Sequence, residues 1–157
     1  MDESKSQAGS LQSDRELCSI GEAADLLKVS VQTLRLYERE GLIIPYRRGS
    51  KHRRYSVEDI ERIRCLRRML GEEKVSLAGI KSLLAMIPCW KIKDCPSTAR
   101  ESCPAFRQHS KPCWVISHRP WVCADANCRT CSVYTMVSDC QTLKRVISDL
   151  TISPGSL

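Results

Sequence analysis

Ten cysteines are the residues of this sequence with the clearest chemical potential. Seven of them fall within residues 89–131, and we predict that these seven ligate a metal or cluster: Cys89, Cys95, Cys103, Cys113, Cys123, Cys128 and Cys131. The same segment has few large aliphatic side chains. A unit this small with so little to bury normally needs cross-links or metal to hold it together.

An internal repeat divides this segment into two halves. Pro88-Cys89-Trp90-Lys91-Ile92 recurs as Pro112-Cys113-Trp114-Val115-Ile116, and each copy ends in a Cys-x-small-aromatic motif, Cys103 to Phe106 and Cys131 to Tyr134. Only Cys128 is unmatched, in Cys128-x-x-Cys131. The paired Cys-Trp motifs resemble a bacterial cysteine-rich module of the two-CW type.

Three kinds of chemistry remain open for the seven cysteines. An iron–sulfur cluster takes four thiolates, from the dense group of Cys113, Cys123, Cys128 and Cys131 or from both halves, and is the favoured interpretation. A structural zinc usually takes two close Cys pairs, whereas only one exists here. Disulfides or a metal-free thiol switch are less favoured, because cytosolic thiols are kept reduced.

The preceding residues are predicted to form two short helices joined by a turn. Ser19-Ile-Gly-Glu22 is a capping box, and Ile20, Ala23, Ala24 and Leu27 repeat at the spacing of one helix face. Ser30 caps a second helix that Gly41 closes. Two short helices joined this way form a helix-turn-helix.

A basic hairpin and two further helices follow. Arg47-Arg48 and Lys51-His52-Arg53-Arg54 flank Gly49-Ser50, which predicts a β-hairpin with a phosphate-facing tip. Ser56 caps a third helix with the apolar stripe Val57, Ile60, Ile63, Leu66 and Leu70. Ser76 caps a fourth with Ile80, Leu83, Leu84 and Ile87 inward, and Pro88 ends it.

These segments together resemble the winged helix-turn-helix of MerR-type transcription regulators, closest to the heat-shock-repressor branch. The resemblance rests on Ile20-Gly-Glu-Ala-Ala, Val31-Gln-Thr-Leu-Arg-Leu-Tyr-Glu38, Gly41-Leu-Ile-Ile-Pro45 and Arg53-Arg-Tyr55. It implies that the second helix enters the major groove of double-stranded DNA while the wing grips the flanking backbone.

The residues predicted to contact DNA lie on the second helix and the wing: Ser30, Gln32, Thr33, Arg35, Tyr37, Arg47, Arg48, Arg53 and Arg54. A single surface Arg is usually only a solvated charge, but the cluster and its order favour DNA contact. Tyr55, Leu34 and Leu36 are predicted to pack inside. Cys18 and Cys65 are predicted to be ordinary packing residues.

A C-terminal helix beginning after Ser132 carries an apolar seam at heptad spacing. Its members are Val133, Met136, Cys140, Leu143, Ile147 and Leu150. MerR-type proteins dimerise through a helix that follows the DNA-binding unit, so the resemblance implies a homodimer paired along this seam. The alternative is a helix that packs its stripe onto its own chain.

The predicted organisation is mainly α-helical. It comprises a disordered tail over 1–17, a winged helix-turn-helix over 18–88, an irregular cysteine-rich module stapled by metal over 89–131, and a dimerisation helix over 132–157. No apolar run reaches the ~20 residues of a membrane helix, and residues 1–17 lack the apolar stretch of a secretion signal.

The composition gives a net charge of +7, from 25 basic and 18 acidic residues, which suggests a polyanionic partner. We therefore expect a cytoplasmic DNA-binding transcription regulator that senses redox state, oxygen or metal through a cysteine-ligated centre. A regulator with a purely structural zinc is the main alternative. A Cys-x-x-Cys redox enzyme is disfavoured, because that motif lacks a βαβ context and the sequence has no catalytic triad, carboxylate pair or phosphate loop.

Overall fold

A computed structural model describes residues 17–49, 51–116, 121–123 and 127–151. The predicted disordered tail lies outside the described residues except for Leu17, and so do residues 152–157. The side chains of Arg48, Ile147 and Leu150 are also outside the description.

The first two helices form the predicted helix-turn-helix. Strand β1 (Cys18–Ser19) leads into α1 (Ile20–Leu27), and α2 (Val31–Arg39) follows after a short turn. The capping box is confirmed, since the Glu22 amide donates to Ser19 Oγ at 3.2 Å and the Ser19 amide donates to Glu22 Oε2 at 2.6 Å. Gly41 closes α2 with a φ of +73°, in the left-handed region that favours glycine.

A three-stranded antiparallel sheet carries the wing. β2 (Tyr46–Arg48) and β3 (His52–Tyr55) form the predicted hairpin, in which Arg47 pairs with Arg53. β1 pairs with the other edge of β3, so the strand order is β1-β3-β2. Sequence reasoning missed β1, because a strand of two residues is too short to show an alternating pattern.

Two longer helices complete this unit and cover its core. α3 (Val57–Gly71) begins at a Ser56–Asp59 capping box, and α4 (Leu77–Ala85) begins at the predicted Ser76 cap. The core confirms the predicted packing of Leu34 and Tyr55, which are both fully buried. Among the described residues, no helix combines the length and apolar character needed to cross a membrane.

The cysteine-rich segment consists of short helical turns. These are α5 (Cys89–Ile92), α6 (Ser97–Ser102), α7 (Pro104–Arg107) and the 3₁₀ turns Cys113–Val115, Trp121–Cys123 and Cys128–Thr130. The two halves repeat one aromatic contact. Trp90 packs edge-on against Phe106 at 5.1 Å between ring centroids, and Trp114 packs edge-on against Tyr134 at 5.2 Å. The repeat read from the sequence is therefore a structural repeat.

The C-terminal segment differs from the single helix predicted for it. It forms α8 (Ser132–Thr135) and α9 (Cys140–Thr151), and the Asp139 carboxylate accepts a hydrogen bond from the Thr142 amide at 2.8 Å at the start of α9. A side chain that binds the free amides of a first turn starts a new helix, so the heptad register does not run through residues 136–139.

Several described members of the predicted dimer seam make contacts within their own chain, and the homodimer itself stays a prediction. Val133 lies in the hydrophobic core of this chain, Leu143 packs against that core, and Cys140 forms a disulfide with Cys65. Met136 alone is exposed. An apolar stripe shows that a helix face is buried, and here that face is buried on its own chain.

The Cys65–Cys140 disulfide also corrects the expectation that Cys65 is a free packing residue. The bond joins the middle of α3 to the first residue of α9, with 5.5 Å between the Cα atoms and 75 residues between them in sequence. It ties the C-terminal helix to the winged unit.

Cys140→Ser should lower the free energy of unfolding of the oxidised protein by about 4 kcal/mol, since a cross-link over so long a loop restricts the unfolded chain. Urea denaturation followed by circular dichroism measures the change. Cys18→Ser, which removes a free thiol, is the matched control. Equal midpoints for the two variants would contradict a stabilising disulfide.

Tyr55→Phe should stabilise the fold. The Tyr55 hydroxyl is buried without a hydrogen-bond partner in the described chain, and burial raises the pKa of Tyr55 to about 12. Removing the hydroxyl should raise the free energy of unfolding by about 1 kcal/mol at pH 7. The Tyr55 hydroxyl ionises at a lower pH in the unfolded chain than in the folded chain, so the free energy of unfolding of the wild type should also fall from about pH 10 to about pH 12. This fall should be smaller in Tyr55→Phe. A lower midpoint for the variant at pH 7 would contradict this.

Candidate nucleic-acid interface and cysteine-lined cavity

The outer face of α2 presents three exposed side chains, those of Gln32, Arg35 and Arg39. Gln32 and Arg35 are both exposed and lie three residues apart, on the same side of the helix. Ser30 and Thr33 also lie near the N-terminus of α2, but their hydroxyls are 2.9 Å apart and Ser30 Oγ accepts the Thr33 amide at 3.1 Å. These two hydroxyls therefore serve the helix cap, while Gln32 and Arg35 are available to a ligand.

Tyr37 requires a correction. The sequence predicted that its hydroxyl reaches a phosphate, yet Tyr37 is only 5 % exposed and belongs to the hydrophobic core. Burial raises the pKa of Tyr37. The residue lies on the same helix face as the fully buried Leu34, three positions earlier, so its ring stabilises the packing of α2 instead of facing a ligand.

Two of the predicted phosphate contacts are occupied by Glu38. Arg47 Nη2 lies 2.6 Å from one Glu38 carboxylate oxygen, and Arg53 Nε donates to the other. The hydrogen bond that Arg53 donates to Glu38 raises the pKa of Arg53. The ion pairs fasten the wing to the end of α2, and they partly compensate the charges of both arginines.

The other basic residues surround one concave surface, here called the basic groove. This surface pocket of about 270 Å³ lies between α2 and the wing and is lined by Ser19, Ile20, Arg35, Lys51, His52, Arg53 and Arg54. None of its lining residues carries a carboxylate. Arg54 lies opposite Ser19 in the sheet register and alternates with Arg53 along β3, so it faces away from Glu38.

The seven predicted ligand cysteines surround a single cavity of about 50 Å³, here called the cysteine cavity. A water needs about 10–15 Å³, so the cavity is roomy enough for an inorganic group. It is lined by Cys89, Cys95, Cys103, Cys113, Cys123, Cys128 and Cys131, and also by Trp90, Lys93, Arg100, Ala105, Phe106 and Val133. The folded chain thus brings together all seven residues that the sequence singled out.

The donor set of this cavity suits a soft metal or an iron–sulfur cluster, which thiolates hold. Lys93 and Arg100 supply positive charge at its wall, and this offsets the negative charge that several thiolates bring. Within the described residues, however, no three potential ligands converge closely enough to hold one metal ion.

Two of the thiols already interact directly. Cys89 and Cys113 are the equivalent first cysteines of the two halves. A hydrogen bond from the Cys113 thiol lowers the pKa of Cys89 to about 7, and the same contact raises the pKa of Cys113. The first cysteines of the two halves therefore meet at the cavity and share a hydrogen bond.

Sequence reasoning missed a buried ion pair between the cysteine-rich segment and the winged unit. The Arg129 guanidinium binds both carboxylate oxygens of Asp59, at 2.7 and 3.0 Å, and Asp59 is 3 % exposed. Arg129 stands between two cysteines in an irregular turn, and no local pattern indicates a partner 70 positions away.

Comparison with known proteins agrees with the geometry of the first unit. Residues 18–87 match the family described as MerR HTH family regulatory protein. The heat shock protein HspR of Streptomyces coelicolor is 40 % identical over 76 residues, which cover 48 % of this chain and 50 % of that protein. The HTH-type transcriptional regulator TnrA of Bacillus subtilis is 40 % identical over 50 residues, 32 % of this chain and 46 % of that one.

The chain spans about half the length of the curated relatives it matches. No solved structure matches it significantly. Residues 18–87 therefore form a MerR-type helix-turn-helix domain, as the resemblance implied. The matched family segment ends before the first cysteine of the cysteine cavity.

Proposed function

We propose that this chain, whose residues 18–87 are a MerR-type domain, is a cytoplasmic transcription regulator that binds double-stranded DNA. The observation that carries the proposal is the basic groove. Arg35 from α2 and Lys51 and Arg54 from the wing face one concavity without a carboxylate among its lining residues. A helix flanked by a basic wing fits a major groove and the phosphates beside it.

Within this proposal the contacts have distinct tasks. Gln32 and Arg35 read base edges or phosphates from the exposed face of α2, while Lys51 and Arg54 bind phosphates and so fix the orientation of the helix. Glu38 holds Arg47 and Arg53, which keeps the wing in a fixed position relative to α2.

The regulator is further proposed to act as a homodimer, because two half-sites multiply the modest affinity of a single domain. Val133, Cys140 and Leu143 make contacts within the chain, whereas Met136 of the same predicted seam is exposed and open to a second copy.

The cysteine cavity is proposed to hold an iron–sulfur cluster that senses redox state or oxygen. Seven thiols on one cavity and two cations at its wall support this choice. When bound, such a cluster supplies a redox-active centre whose integrity depends on thiolate ligation. A structural zinc is the second candidate, favoured by the close Cys128-x-x-Cys131 pair.

Arg54→Ala should weaken binding to any duplex and reduce the slope of log affinity against log salt by about 0.9, the value for one lost phosphate contact. Arg53→Ala should reduce the slope less, because Glu38 already compensates part of that charge. Fluorescence anisotropy with a random-sequence duplex at several salt concentrations measures both. Arg107→Ala, an exposed site on α7, is the control, and equal slopes for Arg54→Ala and Arg107→Ala would remove Arg54 from the interface.

Anaerobic purification should yield a coloured protein with about four iron and four sulfide per chain. The Cys113→Ser/Cys131→Ser variant should lose both, whereas Cys18→Ser, outside the cavity, should keep them. Elemental analysis and a visible absorbance spectrum of the same samples test this. One zinc without iron would favour the structural alternative, and neither metal would overturn the proposed centre.

A further inference from the structure

Residues 41–46, here called the linking segment, join the C-terminus of α2 to the first strand of the wing. Leu42 and Ile43 anchor this segment in the core. Because α2 and β2 attach to its two ends, the conformation of the linking segment sets the position of the wing relative to α2. Any group that binds its backbone therefore acts on both halves of the basic groove.

The first half of the linking segment is bound by the second Cys-Trp motif. Trp114 Nε1 donates to the Gly41 carbonyl at 2.6 Å. Val115 packs so closely that a Cβ placed on Gly41 would lie 2.0 Å from Val115 Cγ1. The turn that follows Cys113 thus touches the point where α2 ends.

The second half is bound by Arg129 of the cysteine-rich segment and Tyr134 of α8. The Tyr134 hydroxyl accepts a hydrogen bond from the Ile44 amide at 2.8 Å, and Arg129 donates to the Ile44 carbonyl. Both backbone groups of Ile44 are therefore satisfied by these two side chains. The Arg129 guanidinium also lies 3.9 Å from the ring centroid of Tyr46, the first residue of β2.

Each of these contact residues is adjacent to cysteines of the cysteine cavity. Trp114 directly follows Cys113, Arg129 stands within the Cys128–Cys131 turn, and Tyr134 lies one helical turn after Cys131. One side of each turn lines the cavity while the other side binds the linking segment. A rearrangement of the cysteines moves backbone that also carries Trp114 and Arg129.

We propose that Trp114, Arg129 and Tyr134 are positioning residues for DNA binding, which act beside the Glu38 ion pairs to hold α2 and the wing in register while the cysteines of the cavity are held together. The DNA part of this inference rests on the proposed function, whereas the positioning part does not. When the cysteines of the cavity separate, the contacts with the linking segment are lost and the wing moves relative to α2. The affinity for DNA is then lower.

The positioning part is tested without DNA by Tyr134→Phe. This change removes only the hydroxyl that binds the Ile44 amide and keeps the ring against Trp114. Hydrogen exchange of the Ile44 amide, followed by NMR in the full chain, should become faster on the order of tenfold, the effect of losing one hydrogen bond. Tyr55→Phe is the matched control, because that hydroxyl has no partner in the described chain.

Trp114→Phe provides a second variant, which removes the hydrogen bond to Gly41 and leaves an aromatic ring. It should also speed exchange within the linking segment. Unchanged Ile44 exchange in Tyr134→Phe, or unchanged exchange across the segment in Trp114→Phe, would overturn the inference whatever the affinity for DNA.

The coupling to the cysteines is tested by a double-mutant cycle. Affinity for a random-sequence duplex at low salt is measured for wild type, Tyr134→Phe, Cys113→Ser/Cys131→Ser and the combined variant. Tyr134→Phe alone and the cysteine changes alone should each lower the affinity for the duplex. The combined variant should bind the duplex as tightly as the cysteine variant does, because both changes act through the same contact with the linking segment. The same cycle with Tyr55→Phe should show no coupling.

If the losses of affinity caused by Tyr134→Phe and by the cysteine changes were additive, the coupling would be overturned, since changes at two independent sites have additive effects. Failure of the wild-type chain to bind any duplex would overturn the proposed function. In that case faster Ile44 exchange in Tyr134→Phe would still support the positioning role. The two failures are therefore distinguishable.

Discussion

The buried pair of Arg129 and Asp59 is the interaction on which the arrangement of the two parts of this protein depends. Both side chains are almost entirely removed from water, and their two parallel hydrogen bonds have the geometry of a strong charge-assisted contact. Burial alone would lower the pKa of Arg129, but the hydrogen bond and charge of Asp59 outweigh it and raise that pKa. Loss of either partner would leave an unpaired buried charge, which costs about 3–5 kcal/mol.

The same pair gathers several local structures around it. Asp59 also accepts the Ser56 amide in the capping box that starts α3, so one carboxylate both begins a helix and receives the arginine. Nearby, the Arg62 guanidinium lies 3.8 Å from the ring centroid of Tyr134. The cysteine-rich segment and the winged unit are consequently joined by polar contacts in a dry environment, where such contacts are strong and demand correct geometry. Val133 and Val137 extend the core of the winged unit into the C-terminal segment.

Local chemistry explains which parts of the fold could be predicted. Helix starts at Ser19, Ser30 and Ser56 follow from side chains that bind their own backbone within three residues. The glycine at position 41 follows from the left-handed conformation at the end of α2. The repeat of Cys-Trp motifs likewise predicted two similar halves, since equal local sequence gives equal local turns and the same edge-on aromatic contact.

Contacts between distant segments could not be predicted in this way. Cys65 and Cys140 are 75 residues apart, and nothing beside either residue indicates the other. Tyr37 lies on the helix that was predicted to face DNA, yet helical geometry turns it inward beside Leu34. The gathering of seven thiols at the candidate site was foreseeable from composition, whereas Trp114 and Arg129 reaching the linking segment depends on how the turns pack.

Because Val115 lies so close to Gly41, the turn that carries Val115 can pack here only if residue 41 has no side chain. The hydrogen of Gly41 occupies space in which any side chain would collide, and the left-handed backbone there already excludes most residues. A winged domain with any larger residue at position 41 would not accept this cysteine-rich segment, because the added side chain would collide with Val115. A contact at one hydrogen atom thus restricts which winged domains could be combined with this segment in one chain.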